Sequence, residues 1–281
     1  MGVSEARKAM LQKAAPQCAD YLVLFLPKVL GQPPSKCGGM GVLVEVAGER
    51  FIVTASHVAK TFKDGSPFLP FIDSGHEGQT AVCLESCPCL GDEGPCDVAV
   101  IRLTEEIVRR LGRKKFLPLT RVDASDEVRE SGAEYLVLGF PSEWREYDGS
   151  GRMMDATFLP FGTTPYIGPV EHLNEYEPSV NFAIHYPKDD VWDNFGKPAS
   201  LPHPVGISGS GIWRMRAATQ DVTAFSVENI RLVGIEHHLY PGPRLLTGTK
   251  MRYVLDLIYI QNEHLRKVVA DAFPSISFPL P

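Results

Sequence analysis

No run of about 18 apolar residues occurs anywhere in the 281-residue chain, so a helical membrane span is not expected. The most apolar stretch near the start, YLVLFLPKVL, lies behind a charged segment, contains Pro27 and has no small-residue cleavage site after it. A secretion signal is therefore not expected either. The opening MGVSEA carries Ala6 where N-myristoylation wants Ser or Thr. Together these absences lead us to expect a soluble, cytoplasmic protein without a membrane partner. Basic charge is also in short supply. Lys and Arg number 28 against 34 Asp and Glu, a net charge of −6 with His neutral, whereas nucleic-acid binding needs a clustered basic surface. The one basic run, RRLGRKK at 109–115, follows Thr104, Glu105 and Glu106 and is interrupted by Gly112. It reads as the end of a short capped helix, so no nucleic acid is expected among the partners. Internal repeats and low-complexity tracts are missing as well.

Gly (25) and Pro (23) are plentiful and scattered, and they cut the chain into short apolar runs rich in Val, Ile, Leu, Phe and Tyr. That is the pattern of an all-β protein. A first group of strands is predicted at 21–26, 41–47, 50–56, 67–72, 80–85 and 97–103, with AGER as one tight turn. A second is predicted at 134–140, 154–162, 180–186, 211–213, 231–237 and 251–257. Six short strands can make a small barrel or sandwich. The organisation expected is an N-terminal helical extension (1–19), a first β unit (20–115), a linker (116–133), a second β unit (134–257), and a C-terminal helix and tail (258–281). That helix, read from apolar residues at 254, 257, 258, 265, 268 and 269, should pack on the second unit. Residues 141–204, rich in Pro, Asp and Tyr, read as mostly loop, a substrate-facing or regulatory surface that could receive a partner.

Three pieces place a polar residue where a strand ends or a glycine loop turns. FIVTASHVAK sets His57 after an apolar strand, CDVAVIRL sets Asp97 at the start of another, and HPVGISGSGIW sets Ser208 among Gly206, Gly209 and Gly211. A serine hydroxyl is a poor nucleophile at neutral pH. It needs an imidazole to take its proton and a carboxylate to fix the imidazole's tautomer. The oxyanion of a tetrahedral intermediate needs two backbone N–H donors, and the Gly206 and Ser208 amides are the candidates. Ser210 lies in the same glycine run and competes as nucleophile, but it lacks a glycine two residues before it.

These motifs resemble the chymotrypsin-like serine peptidases. TASHV is similar to the family's Thr-Ala-Ala-His around the base, DVAVIRL to its Asp-bearing strand, and GISGSG to its Gly-x-Ser-Gly-Gly loop; the chain order His, Asp, Ser is also the family's. YLVLGFP and LVGIEHH are similar to strands of the second barrel, so the resemblance runs from about residue 20 to about residue 260. It implies two six-stranded antiparallel barrels with the active site between them. It also implies a serine endopeptidase acting on a protein or peptide through an acyl-enzyme, with catalytic His57, Asp97 and Ser208. Other classes remain open: an esterase using the same triad, or a barrel-type binding module without catalysis. Ser210 stands where the family has a second glycine, and Ile207 where its zymogen-activated members have an acid. Neither that acid nor the Ile-Val-Gly-Gly start is present, which points to the bacterial or intracellular type that needs no N-terminal trimming.

The resemblance also places Pro202, Glu236, His237 and His238 at the pocket for the substrate side chain. A carboxylate there would favour Lys or Arg and an imidazole Glu or Gln. Alternation admits only one or two of the three charged candidates. Four of the six cysteines, Cys83, Cys87, Cys89 and Cys96, fall in CLESCPCLGDEGPC. Their spacing is irregular for a zinc site, so reduced thiols are expected, with no metal and no cofactor.

Overall fold

The computed structural model describes residues 5–27, 38–63, 68–71, 84, 86–92, 94–112, 114–125, 133–147, 154–187, 191–192, 198–215 and 225–279. Apolar runs bounded by turns form two antiparallel sheets, and most of their strands are buried on both faces. In the first, β2 (Gly39–Val46) and β3 (Glu49–Ala55) form a hairpin through Ala47 and Gly48, whose φ values of +50° and +87° suit a turn that follows the strand twist. Around this hairpin lie β1 (Leu22–Pro27), β4 (Phe68–Phe71), β5 (Cys89–Asp92) and β6 (Val98–Arg102), in the order β4-β1-β2-β3-β6-β5. The short β7 (Leu117–Pro118) pairs in parallel with β2. The second sheet takes the order β11-β8-β15-β16-β17-β12. Its strands are β8 (Glu134–Gly139), β11 (Leu159–Thr163), β12 (Asn181–His185), β15 (Gly211–Met215), β16 (Ile230–Tyr240) and β17 (Leu245–Lys250). Two small ribbons, β9 (Arg145–Tyr147) with β10 (Met154–Ala156) and β13 (Val191–Trp192) with β14 (Pro198–Ala199), complete the strands.

The sheets are mostly antiparallel as the all-β reading requires, and the second one curls. Just beyond β11, Tyr166 N donates to Ala183 O (2.8 Å) and His185 N to Thr164 O (3.1 Å), which brings its two edge strands together. The edge strands of the first sheet, β4 and β5, are not paired with each other among the described residues.

Alternation along each strand splits its side chains between cores. Val42, Val44 and Val46 of β2 join Leu136 and Leu138 of β8, Trp213 of β15 and Leu232 of β16 in one cluster shared by both sheets. Leu43 faces a second cluster under the first sheet, and Tyr135 and Val137 face a third inside the second sheet. The shared core also takes in two helices. Met10, Ala14 and Cys18 come from α1 (Glu5–Ala19), which lies on β8 and β11; Val254, Leu255 and Ile258 come from α4 (Met251–Gln261). A fifth helix, α5 (Arg266–Ala272), packs on α4.

Several sequence expectations change. The run 251–257 is not a strand: it opens α4, and the sixth strand of the second sheet is Leu245–Lys250, whose residues are all buried. The C-terminal helical region thus begins at Met251, and α4 touches β5 and β6 as well as β16 and β17. The fifth strand of the first sheet is Cys89–Asp92, while most of 80–85 lies outside the described residues. The basic run behaves as predicted. The α3 helix (Glu105–Leu111) is capped by the Thr104 hydroxyl, which accepts from Ile107 N at 3.4 Å, and it stops at Gly112.

Candidate active site

His57 is the second residue of α2 (Ser56–Lys63), the helix that follows β3, and its side chain is 47% exposed. Asp97 sits between a single 3-10 turn at 94–96 and β6 with φ +31°, in the left-handed region that few side chains adopt. Its backbone is tied on both sides: Asp97 N donates to Gly94 O (3.2 Å) and Ser56 N donates to Asp97 O (3.1 Å). Its carboxylate then meets His57 twice. Oδ1 accepts the His57 backbone N–H at 2.9 Å, and Oδ2 lies 2.6 Å from Nδ1. A proton on Nδ1 satisfies that contact and leaves Nε2 as the acceptor.

The second sheet steadies this turn. Asn181 Nδ2 of β12 donates to Pro95 O (2.7 Å), and the Thr249 hydroxyl of β17 donates to Cys96 O. His237 of β16 stands behind Asp97 with Nδ1 3.8 Å from Oδ2 and Nε2 3.4 Å from Asn181 Nδ2. Burial pushes the His237 pKa down to about 4, against the pull of Asp97, so this imidazole is neutral near pH 7.

Residues 204–210 form a loop in which nearly every peptide group is committed. Ile207 N donates to Pro204 O (3.0 Å), Gly209 N to Glu236 O (2.7 Å) and Ser210 N to Ile207 O (2.9 Å). The Gly206 and Ser208 amides have no acceptor among the described residues. Their directions are nevertheless set, because a trans peptide points its N–H opposite to its C=O. The Val205 carbonyl is taken by Ser142 N (2.8 Å) and the Ile207 carbonyl by Ser210 N. The peptide between these two is anchored by buried Arg145, whose Nη2 donates to Gly206 O (2.9 Å) while Nε and Nη2 also reach Phe140 O. Gly206 and Gly209 hold φ of +94° and +90°. A Cβ on Gly206 would come within 2.5 Å of both Arg145 Nη2 and Ser142 Oγ, and one on Gly209 would strike the Met40 carbonyl, so both positions require glycine.

The first sheet grips this loop. Met40 N of β2 donates to Ser208 O (2.7 Å), and the Thr54 hydroxyl donates to Met40 O (2.6 Å). A Cβ on Gly39 would lie 2.5 Å from Val58 Cγ2 and 2.9 Å from Ser208 O, so β2 passes closely between the helix bearing His57 and the loop bearing Ser208. His57 and Asp97 are thus joined directly, and Ser208 is brought to the same strand. The Ser208 hydroxyl itself has no hydrogen bond among the described residues, to His57 or to anything else.

The other sequence candidates separate clearly. Ser210 is fully buried and its hydroxyl donates to Leu138 O at 2.6 Å. Ile207 packs in the apolar interior of the second sheet. Pro202 is buried and its carbonyl accepts the Tyr186 hydroxyl (2.8 Å). His238 is exposed, its ring edge-on to Tyr240 at 4.6 Å. Glu236 is buried, and burial, with the Asp97 charge second, pushes its pKa up to about 8. Cys87 is buried and Cys89 and Cys96 are half-buried; the Cys96 pKa is pushed up to about 12 by burial and by Asp92, while Cys37 and Cys83 lie outside the described residues. No cluster of three or more potential metal ligands occurs among the described residues, and none of their helices is long and apolar enough to cross a membrane. Sequence reasoning missed Arg145, Asn181 and Thr249. Arg145 stands in the polar run SEWREY, where nothing in the pattern marks a buried guanidinium.

No family model matches the chain, and no curated protein matches it in sequence. Solved structures to which it is similar include two serine proteases and a viral protease. A thermostable serine protease, AL20, from an extremophilic microorganism is 11% identical (TM-score 0.45; 83% of this chain, 91% of that one). The serine endoprotease from Yersinia pestis is 15% identical (TM-score 0.45; 93% and 67%). The tobacco vein mottling virus protease is 7% identical (TM-score 0.43; 84% and 78%). Likenesses this distant carry no argument about the reaction.

Proposed function

We propose that the chain is a serine endopeptidase. Ser208 Oγ attacks a peptide carbonyl while His57 Nε2 takes its proton, and Asp97 holds the imidazole and stabilises its charged form. The carbonyl oxygen, now an anion, is received by the Gly206 and Ser208 amides. Collapse of the intermediate expels the amine with the proton from His57 and leaves an acyl-ester on Ser208. Water, deprotonated by the same imidazole, then releases the acid.

The observation that carries this reading is the peptide pattern of the 204–210 loop. Three of its amides have no acceptor among the described residues: that of Val205, which is exposed, and those of the serine and of the residue two before it, whose peptide carbonyls are both pinned. A structural turn would satisfy those donors, whereas an oxyanion site must keep them free. The His57–Asp97 pair at 2.6 Å supplies the base.

One observation favours a different reading, a binding module without catalysis: the Ser208 hydroxyl makes no bond to His57. Catalytic hydrogen bonds often tighten only when substrate arrives, so the two readings separate by reactivity. A fluorophosphonate probe should modify the protein at Ser208, and Ser208→Ala should abolish the adduct. Intact protein that forms no adduct would favour the binding module, and an adduct at Ser210 would overturn the assignment. Peptide and ester substrates offered to the labelled-competent protein then distinguish peptidase from esterase.

A further inference from the structure

We infer that Glu236 receives the side chain of a Lys or Arg adjoining the bond to be cleaved, so that the enzyme prefers cationic substrates; this rests on the reading of Ser208 as nucleophile. The strand β16 is laid against the nucleophile loop by two backbone bonds of Glu236 itself: its O accepts from Gly209 N (2.7 Å) and its N donates to Ser210 O (2.8 Å). The residue is 2% exposed, and its Oε2 has no hydrogen-bond partner among the described residues. Its cross-strand neighbour on β17 is Gly248, which has no side chain to offer. The Tyr186 hydroxyl donates its hydrogen bond to Pro202 O instead. Apolar Leu201, Pro202, Pro204 and Ile207 are buried along the preceding chain.

A carboxyl left in this way satisfies nothing inside the protein, and burying it unpaired opposes folding. A ligand with a matching group would reverse that cost. The charge around Glu236 decides which ligand. Asp97 has the same sign, His237 beside it is neutral, Tyr186 is held protonated by burial, and no cation is among the influences on the group. The local field therefore favours an ammonium or guanidinium. The rival pocket residues do not compete: His237 is occupied with Asp97 and Asn181, and His238 points to solvent against Tyr240.

The free carboxyl titrates near pH 8. Cation binding needs the ionised form, so the preference should grow as pH rises through about 8, up to the region where a lysine itself loses its proton.

The test compares rates of covalent modification of Ser208 by two peptidyl phosphonate diphenyl esters, one with a lysine side chain and one with an uncharged n-pentyl side chain of the same length. The lysine reagent should react faster on the order of tenfold or more above pH 8, as expected for one charge-assisted hydrogen bond. The advantage should shrink below pH 8, fall toward unity in Glu236→Gln, and survive in part in Glu236→Asp; melting curves establish that both variants are folded. A ratio near one in the native protein, or a ratio unmoved by Glu236→Gln, overturns the inference while fluorophosphonate labelling of Ser208 leaves the peptidase reading standing. Failure of the fluorophosphonate as well removes both.

Discussion

His57 and Asp97, both carried by the first sheet, are held together by the Asp97 carboxylate, whereas residues 204–210, leading into the second sheet, are held in place through their peptide groups. The first pair is defined by a carboxylate that grips one histidine at two points. The loop is defined by where carbonyls are tied, and those ties come from elsewhere: Ser142 N, Arg145, Met40 N and the Glu236 backbone. The difference matters for robustness. Side-chain chemistry fails when its own residue is replaced, while a backbone device can also fail through a distant residue that never touches substrate.

Replacement of the reacting groups should have the largest effect. His57→Ala and Ser208→Ala should each lower kcat on the order of 10⁴-fold or more, with melting temperatures close to the parent because neither side chain is in the core. If only one of the two is essential, the side-chain half of the site is misassigned.

Next in size is the support of the loop. Arg145→Met removes the donor of Phe140 O and Gly206 O and should cut kcat by about 10²- to 10³-fold, the loss typical of one oxyanion donor, with KM changing less. A kcat that stays put would mean that the loop holds its own shape. Because two buried carbonyls lose their donor, stability should also fall, by about 1–3 kcal/mol each at most.

A weaker signal is the pH dependence of stability, which two buried groups bracket. Glu236 has its folded pKa raised to about 8, so its contribution is intact below its unfolded value near 4.5 and is lost as pH rises toward 8. His237 has its folded pKa lowered to about 4, so its contribution is intact above about 6.5 and is lost as pH falls toward 4. The two windows overlap between about 4.5 and 6.5, where the opposite slopes cancel, so stability should show a broad maximum across mildly acidic buffer and fall on either side of it. Chemical unfolding across pH should find this maximum, and Glu236→Gln should flatten the alkaline side.

Smallest of all should be Ser210→Ala. It removes one buried hydroxyl bond to Leu138 O, worth roughly 1–2 kcal/mol, and should leave most activity. Strong loss of kcat without loss of stability would bring Ser210 back as a reacting group.

The side-chain half was the more legible in sequence. His57 and Asp97 stand at strand ends whose apolar runs are unambiguous, and a hairpin at AGER and a capped helix at 104–112 have strong local signals. The loop's glycines were legible too, but its supports were not. A guanidinium such as that of Arg145 is buried by the fold around it, and no local pattern announces this. The 245–257 region fails for another reason. Met251, Tyr253, Leu255 and Leu257 alternate as a strand would, yet the buried set is Met251, Val254, Leu255 and Ile258, the helical set. A short apolar window satisfies both periods. The true strand, LLTGTK, carries a glycine and a lysine that read as a turn, and only pairing with β16 and β12 buries them.

The two ends of the chain trade places in a way that bears on how the molecule comes apart. The α1 helix directly precedes the first sheet but lies on β8 and β11 of the second, and α4 directly follows the second sheet but reaches β5 and β6 of the first. Each half is thus braced by a helix attached to the other. Cutting the connection between the sheets should give two fragments that fold poorly alone, each baring a stripe meant for its counterpart's helix, and that recover on mixing. For the same reason heat should meet one cooperative unit, with a single melting transition spanning both sheets.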